Sequence, residues 1–407
     1  MVDFLIAVRN LTRNRRRAFV ALLTVIAAVT CLVLADGFIQ WIFWAMREST
    51  INSQLGHIQV MRPGYLVAGA SDPFSYVLAN NLPQSKQIEA MPGVKLVAPR
   101  LKVAGLISHG ETSVSFIADG VDPSKEQGLS QGISIVAGHN LTSLNAKEVV
   151  LGRGLARTLD VKPGDTIAMI TNTSGGSINA IEAKVVGIFG TFSQAYDDSA
   201  LRLPIGQAQS LLRVNGAHLW LVLLNETEQT DYFLIQLRKH FPALSNKLEF
   251  VPWYQQADFY NKTVALFSQQ MGVLRIIIGS IIILSISNML VMNVLERTGE
   301  IGTLLAIGFK RKEILRLFAI EGLILGLIGA SVGLLLGYGL AELISAIGIP
   351  MPPPPGSDDG FTGEIRITRN ILAVAFLTAF FTTTLAGLYP AWKASRMQII
   401  DALRHNI

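Results

Sequence analysis

Four apolar stretches in a 407-residue chain are spaced so unevenly that the spacing dictates the architecture. Residues 18–35, 276–295, 322–341 and 370–392 carry no charged side chain. Each approaches the roughly 20 residues a helix needs to cross about 30 Å of hydrocarbon. Charged residues make up only 15% of the chain, against about 25% in soluble domains. Four buried helices of a soluble core are the alternative, but such segments rarely run this long without a charge. The mixed stretch 45–268 separates the first span from the other three. The fold class expected is therefore four transmembrane helices with a large α/β extracytoplasmic domain. The expected spans are 18–44, 269–295, 316–343 and 370–392.

Basic flanks set the orientation, because short Lys/Arg-rich segments stay in the cytoplasm. Arg9, Arg13, Arg15, Arg16 and Arg17 precede the first span. Arg297, Lys310, Arg311, Lys312 and Arg316 lie between the second and third, and Lys393, Arg396 and Arg404 follow the fourth. All three clusters fall on one side if the chain crosses four times. Residues 1–17 then form a cytoplasmic amphipathic segment, 296–315 a cytoplasmic connection and 393–407 a cytoplasmic tail. Residues 45–268 and the loop 344–369, with its Met351-Pro-Pro-Pro-Pro-Gly356 run and Asp358-Asp359, lie outside. Asp36-Gly37-Phe38 offers no small-x-small cleavage site, so the first span reads as an uncleaved anchor. The one cysteine, Cys31, lies inside it, so no internal disulfide staples the outer domain. The net charge of +5 reads as topology rather than nucleic-acid affinity.

Residues 45–268 alternate strand and helix signals. Strands are expected at 56–60, 94–99, 114–119, 148–152, 166–170, 181–189 and 218–224, with Asn172–Ser177 as a hairpin loop. Helices are expected at 154–159, 204–212 and 230–241. The Pro- and Gly-rich stretch 60–93 suggests a second lobe or an excursion from the main one. Residues 255–275 suit an outward extension of the second span. His57, His109, His139 and His218 lack metal-site spacing, and no Gly-x-Ser-x-Gly or His-Glu-x-x-His motif occurs. No catalytic residue and no metal site are expected.

Inside the membrane, Gly322 and Gly326, and then Gly329, Gly333 and Gly337, recur at spacing four. Such a groove lets another helix approach closely, within the bundle or from a second subunit. Asp36 and Glu321 are acids at the edges of spans, where pairing or snorkelling is expected. Phe38, Trp41 and Trp44 at the outer end of the first span, and Tyr260, Phe267 and Met271 before the second, are candidates for cargo or lipid contact. They suit simple interfacial anchoring equally well.

The segment Glu296–Ile314 is the sharpest local signal. Glu300, Leu304 and Ile307 lie at helical spacing, as do Ile301 and Leu305, and Gly308 ends the pattern before Lys310. A lipid-surface helix is one reading. A docking helix for a cytoplasmic protein suits the mixed acids and bases better.

At these residues the chain resembles the FtsX-domain, MacB-like (type VII) ABC permeases. The resemblance rests on Glu296-Arg-Thr-Gly-Glu-Ile-Gly through Ala306-Ile-Gly308, on Leu317-Phe318 with Glu321-Gly322, and on Tyr389-Pro-Ala-Trp-Lys-Ala-Ser-Arg396 with Asp401-Ala-Leu-Arg404. The proline usual before the last motif is absent; Ile399-Ile400 stand there. Ala7-Val-Arg-Asn-Leu11 and Gly56-His57-Ile58 resemble the family's opening helix and first outer strand. The resemblance implies a non-catalytic permease that couples ATP hydrolysis to motion outside the membrane. Glu296, Arg297, Glu300, Ile301, Leu304, Leu305, Ile307, Gly308 and Lys310 would then form the coupling site. ATP and Mg would sit on a separate cytoplasmic ABC ATPase dimer, since the chain has no Gly-x-x-x-x-Gly-Lys-Ser/Thr loop. It also implies a second permease subunit, identical or paralogous, in a bacterial inner membrane. The layout is most similar to the lipoprotein-releasing permeases, which implies lipid-linked cargo and a periplasmic chaperone. Drug or peptide efflux with a periplasmic adaptor, and signalling to a cell-wall hydrolase or sensor, are the alternatives.

Overall fold

A computed structural model describes residues 9, 13, 15–129, 133–191, 194–242, 247–351 and 361–396. The proline run after Met351, the tail motif Asp401–Arg404 and most of residues 1–14 lie outside the described residues, as does the Leu304 side chain. The chain divides into a helical unit (1–43, 263–350 and 362–407) and an α/β unit (44–262 and 351–361).

Among the described residues, four helices are long and apolar enough to cross a membrane. The first is Arg15–Thr50, the second Asp258–Glu296, the third Arg311–Ile347 and the fourth Arg369–Ser395. At 36, 39 and 37 residues the first three are longer than a bilayer needs. A helix of that length runs about 55 Å, against about 30 Å of hydrocarbon. Each therefore continues as helix beyond the apolar window that the sequence marks.

The glycine ladder of the third helix has two faces. A Cβ at Gly329 would stand 2.7 Å from Val25, at Gly333 2.7 Å from Val29, and at Gly337 3.0 Å from Val33. These valines form an i, i+4 ridge on the first helix, and they fit only because the facing positions lack side chains. Thr30 Oγ1 adds a hydrogen bond to Gly333 O at 3.1 Å. Gly322 and Gly326 face the fourth helix, where Thr383 fills the space beside Gly326. Both glycine rows thus serve packing within the chain.

In the α/β unit the strands are β1 (Ile58–Met61), β2 (Leu78–Ala79), β3 (Val94–His109), β4 (Thr112–Val121), β5 (Ser134–Gly138), β6 (Glu148–Gly152), β7 (Thr166–Asn172), β8 (Ile178–Gly190), β9 (Ala200–Pro204), β10 (Gly216–Ala217), β11 (Leu219–Leu224) and β12 (Glu249–Pro252). The main sheet runs β12-β1-β11-β3-β4-β9-β6-β8-β5, and β7 pairs with both β3 and β8. The ring β3-β4-β9-β6-β8-β7 is consequently closed, a small barrel that hides its edges. β3 serves both parts: its first half pairs with β11, and its second half with β4 and β7. Gly105 makes the closure possible, since a Cβ there would collide with the Ile170 carbonyl of β7. Ile107, Phe116, Val149, Met169, Val185 and Leu201 are buried in the core of this unit.

The stretch 60–93 is an excursion rather than a second lobe. β2 pairs with β10, and the helix Pro83–Glu89 buries Ile88 in the same core. The expected short strands 94–99 and 114–119 are parts of one long hairpin, turned at Gly110 with φ +57°.

Candidate functional site

The second helix ends at Glu296, and the inner helix Thr298–Ala306 follows almost at once. Arg297 breaks the run with φ −103° and ψ 15°. Gly308, at φ +108°, takes the left-handed turn that ends the inner segment. Lys310 then caps the third helix, its backbone N–H donating to Glu313 Oε2 at 2.8 Å.

Arg297 is the hub. Its Nε donates to Glu300 Oε2 at 2.9 Å and its Nη1 to Glu321 Oε1 at 3.4 Å. The guanidinium also lies 5.9 Å from the Phe318 ring centroid. Glu321 is fully buried, so it is paired inside the bundle and does not snorkel. Two arginines ahead of the first span complete the frame: Arg13 pairs with Glu300 at 2.7 Å, and Arg17 pairs with Glu296. Partial burial works against a charged Glu300, but hydrogen bonds from Arg297 and Arg13 outweigh it and hold the carboxyl below its usual range.

The inner helix has a buried side and an open one. Ile301 is buried with Val294, Ile314, Phe318 and Ala391, and Leu305 packs against that cluster. Thr303 and Ala306 face out, and so do Ile307 and Phe309, exposed at 74% and 43%. Of the apolar residues expected to dock a partner, Ile301 and Leu305 pack toward the spanning helices, and Ile307 is exposed.

A second ion pair joins the first two spanning helices. Arg275 Nη2 donates to both oxygens of the buried Asp36, at 2.9 and 3.0 Å. The candidate cargo residues are divided. Trp41 and Met271 are buried within the helical unit. Phe38 stacks on Trp41 at 6.2 Å, and Phe267 meets Phe43 edge-on at 6.3 Å. Tyr260 packs edge-on against Trp253 at 5.2 Å, and Trp44 is half-buried.

In the α/β unit the chain that leaves the first helix is tied down by buried polar groups. A turn of π-helix, Ile51–Leu55, ends at Gly56 with φ +62°. Arg202 Nη2 donates to Ser53 O at 2.6 Å, and its Nη1 to Glu126 Oε2 at 2.6 Å. Arg100 pairs with the other Glu126 oxygen at 2.7 Å. Nearby, burial opposes ionisation of Asp119, yet Lys102, Arg100 and Arg202 hold it far below the usual carboxylate range. His57 Nδ1 accepts from Leu224 N–H at 3.1 Å, so its proton sits on Nε2 and is donated to Thr227 Oγ1 at 2.9 Å. Thr227 in turn donates to Glu48 at 3.0 Å. Burial, then the nearby Arg47, pushes the His57 pKa down to about 4. No group of three or more His, Cys, Asp or Glu among the described residues is placed to hold a metal ion.

Sequence reasoning passed over these partners. Arg13 and Arg17 lie far in the chain from Glu300 and Glu296, as Arg100, Glu126 and Arg202 do from one another, and only the fold brings each set together. Asp36 and Arg275 carried a usable signal, one acid and one base at corresponding ends of two spans.

Two family models match. The MacB-like periplasmic core domain covers residues 18–239, more than half of the chain, and the FtsX-like permease C-terminal region covers 272–399. The chain is 28% identical to an uncharacterised ABC transporter permease of Methanocaldococcus jannaschii, over 67% of this chain and 66% of that one. It is 24% identical to the macrolide export ATP-binding/permease protein MacB of Bdellovibrio bacteriovorus, over 98% of this chain and 61% of the relative. The chain thus spans less than two thirds of the length of these curated relatives. The solved periplasmic region of MacB from Actinobacillus actinomycetemcomitans aligns with 52% of this chain and 93% of its own, at 13% identity and a TM-score of 0.35. By its family matches this chain belongs to the MacB/FtsX-like ABC permeases, multi-pass membrane proteins with a large extracytoplasmic domain.

Proposed function

We propose that the chain is a permease subunit that converts ATP hydrolysis by a separate cytoplasmic ABC ATPase dimer into movement of its extracytoplasmic domain. ATP and Mg belong to that partner. The supporting observation is the ionic frame of Arg297, Glu300, Glu321, Arg13 and Arg17. It fixes the inner helix to the ends of the spanning helices while Ile307 and Phe309 remain open. A push on that open face is passed to rods about 55 Å long. Ser53, His57 and Glu48 then hand the movement of the first helix to the barrel through Arg202 and Thr227. Both termini lie on the ATPase side, and the permease works with a second copy or a paralogue.

For cargo, the likeness to a macrolide export protein, the MacB relative, supports a drug- or peptide-like compound passed to a periplasmic adaptor. Release of lipid-linked proteins to a chaperone remains the second reading, carried by the layout alone. Two measurements test the proposal. A cysteine at position 307 should crosslink to a co-expressed ABC ATPase; failure to recover one removes the transporter reading. Mass spectrometry of molecules retained by an ATP-hydrolysis-deficient complex separates the cargoes, acylated protein favouring release and a small compound favouring export.

A further inference from the structure

A cleft of about 690 Å³ opens on the α/β unit, between β8, the loop that leads into β6 and the helix Ile205–Leu212. That is room for a ligand the size of a sugar or a drug, for which sites of about 300–1,000 Å³ are usual.

Two lysines meet there. Lys184 N–H donates to Lys147 O at 2.9 Å, which sets the two residues side by side. Both line the cleft, both are exposed, and neither has an ion-pair partner among the described residues. Glu148, the register partner of Lys184, turns to Thr142 instead, accepting from its N–H at 3.1 Å and from its Oγ1 at 2.8 Å. Glu182 also lines the cleft, two residues before Lys184 and so on the same face of β8. Neighbouring like charges without a counter-charge repel, and an anion relieves them.

Solvated surface lysines need no scaffolding, yet this loop is scaffolded. Gln207 is buried, and in the amide orientation that satisfies both of its ends its nitrogen donates to Ala146 O and Glu148 O, each at 3.2 Å. Gly206 N–H donates to Leu144 O at 3.2 Å, and a Cβ at 206 would collide with Asn145 Oδ1. The loop is thus fastened to the helix at Leu144, Ala146 and Glu148, and to β8 at Lys147. The backbone that carries the first lysine is set before any ligand arrives, which lowers the cost of binding one.

We propose that the cleft binds a water-soluble phosphate monoester of a polyol, of the sugar-phosphate class. The phosphate lies between Lys147 and Lys184, whose ammonium groups suit a dianion as two point charges. Glu182 accepts from hydroxyls of the polyol and turns away a second anionic group. Asn145, Thr166 and Ser210 line the cleft and bond to the remaining hydroxyls. Its apolar lining is confined to Ala180, Ile181, Ala183 and Gly206, too little to hold an acyl chain, which selects a soluble phosphate over a lipid-borne one. The site goes beyond the coupling role and does not depend on which cargo the permease moves.

Isothermal titration calorimetry of the detergent-solubilised full chain in phosphate-free buffer tests this, with glucose 1-phosphate, glucose, inorganic phosphate and dihexanoyl phosphatidic acid as probes. Glucose 1-phosphate should saturate a single site per chain, inorganic phosphate should bind more weakly, and glucose should give no heat. Lys147→Gln and Lys184→Gln should each weaken glucose 1-phosphate about fivefold, the upper end for one exposed ion pair, and Lys239→Gln should change nothing. Glu182→Gln should tighten inorganic phosphate, because it removes the like charge beside it, a gain that a purely structural residue would not give. The assignment is overturned by the absence of saturable binding, by inorganic phosphate or dihexanoyl phosphatidic acid binding as tightly as glucose 1-phosphate, or by an affinity that survives both lysine substitutions in a chain that melts natively.

Discussion

Arg297 donates to Glu321 at 3.4 Å, and Glu321 has no exposed surface. The pair joins the start of the inner helix to the third spanning helix, and Glu300 holds the same arginine from the other side. Removing one partner leaves an uncompensated buried charge, which costs about 3–5 kcal/mol. Arg297→Met should therefore lower the thermal midpoint of the solubilised chain markedly. Arg297→Met with Glu321→Met should recover much of the loss, because packed apolar groups replace a buried pair at little cost. If the double variant melts no higher than the single one, the pair is not what holds the segment.

Val29 sits in the notch that Gly333 leaves. Gly333→Ala would set its Cβ 2.7 Å from Val29 Cβ, so the two helices must move apart, and overpacking of this kind costs about 1–3 kcal/mol. The atoms that a Cβ at 333 would meet are Val29 Cβ at 2.7 Å and the Ile26 carbonyl at 3.0 Å, and Val29→Ala keeps both, so the double variant should recover little and still melt well below the native chain. Gly339 has open space where a Cβ would go. Gly339→Ala should therefore cost nothing and serves as the control. Thermal unfolding of all four proteins checks the set.

His57 and His218 give the α/β unit a defined response to acid. Burial pushes both pKa values down to about 4, with Arg47 adding to the effect at His57. Lys102 N–H donates to His218 Nδ1 at 3.1 Å, so this ring too is held neutral. A folded pKa below the unfolded value means that the unfolded chain takes up protons first. The stabilisation is present above pH 6.5 and is lost as pH falls toward 4. Each histidine should forfeit about 2 kcal/mol between pH 7 and pH 5. His57→Gln and His218→Gln should each flatten the pH dependence of the denaturant midpoint by one such step. A midpoint that does not change over this range would show that neither ring is held neutral.

The spans were legible because a run such as 322–341 without a charge has few alternatives to a membrane helix. The glycine spacing announced a packing face, and its partner is the Val25, Val29 and Val33 ridge some three hundred residues earlier. That choice depends on how the helices associate, which no local pattern encodes. The barrel was harder to read. β5 and β9 are short and gain their identity from β8 and β4 across the sheet, and the closure rests on the missing side chain of Gly105. At the inner segment, periodicity marked a helix but not its orientation. Ile301, Leu305 and Ile307 look alike in sequence, and only the position of Phe318 and Ala391 decides which are buried.

That difference separates docking from folding. Ile307 is 74% exposed and Ile301 2% exposed. Ile307→Glu should leave the stability of the isolated permease within about 1 kcal/mol of native, as surface changes usually do. It should nonetheless lower recovery of the ATPase partner by an order of magnitude or more, because a charge facing an apolar docking groove loses contact and desolvation energy together. Ile301→Glu should instead destabilise the chain itself, since it buries a charge among Val294, Ile314 and Phe318. The measurement is a paired one, melting of the permease alone and ATPase retained on affinity purification. If Ile307→Glu retains the ATPase fully, the open face of the inner helix is not where the partner binds.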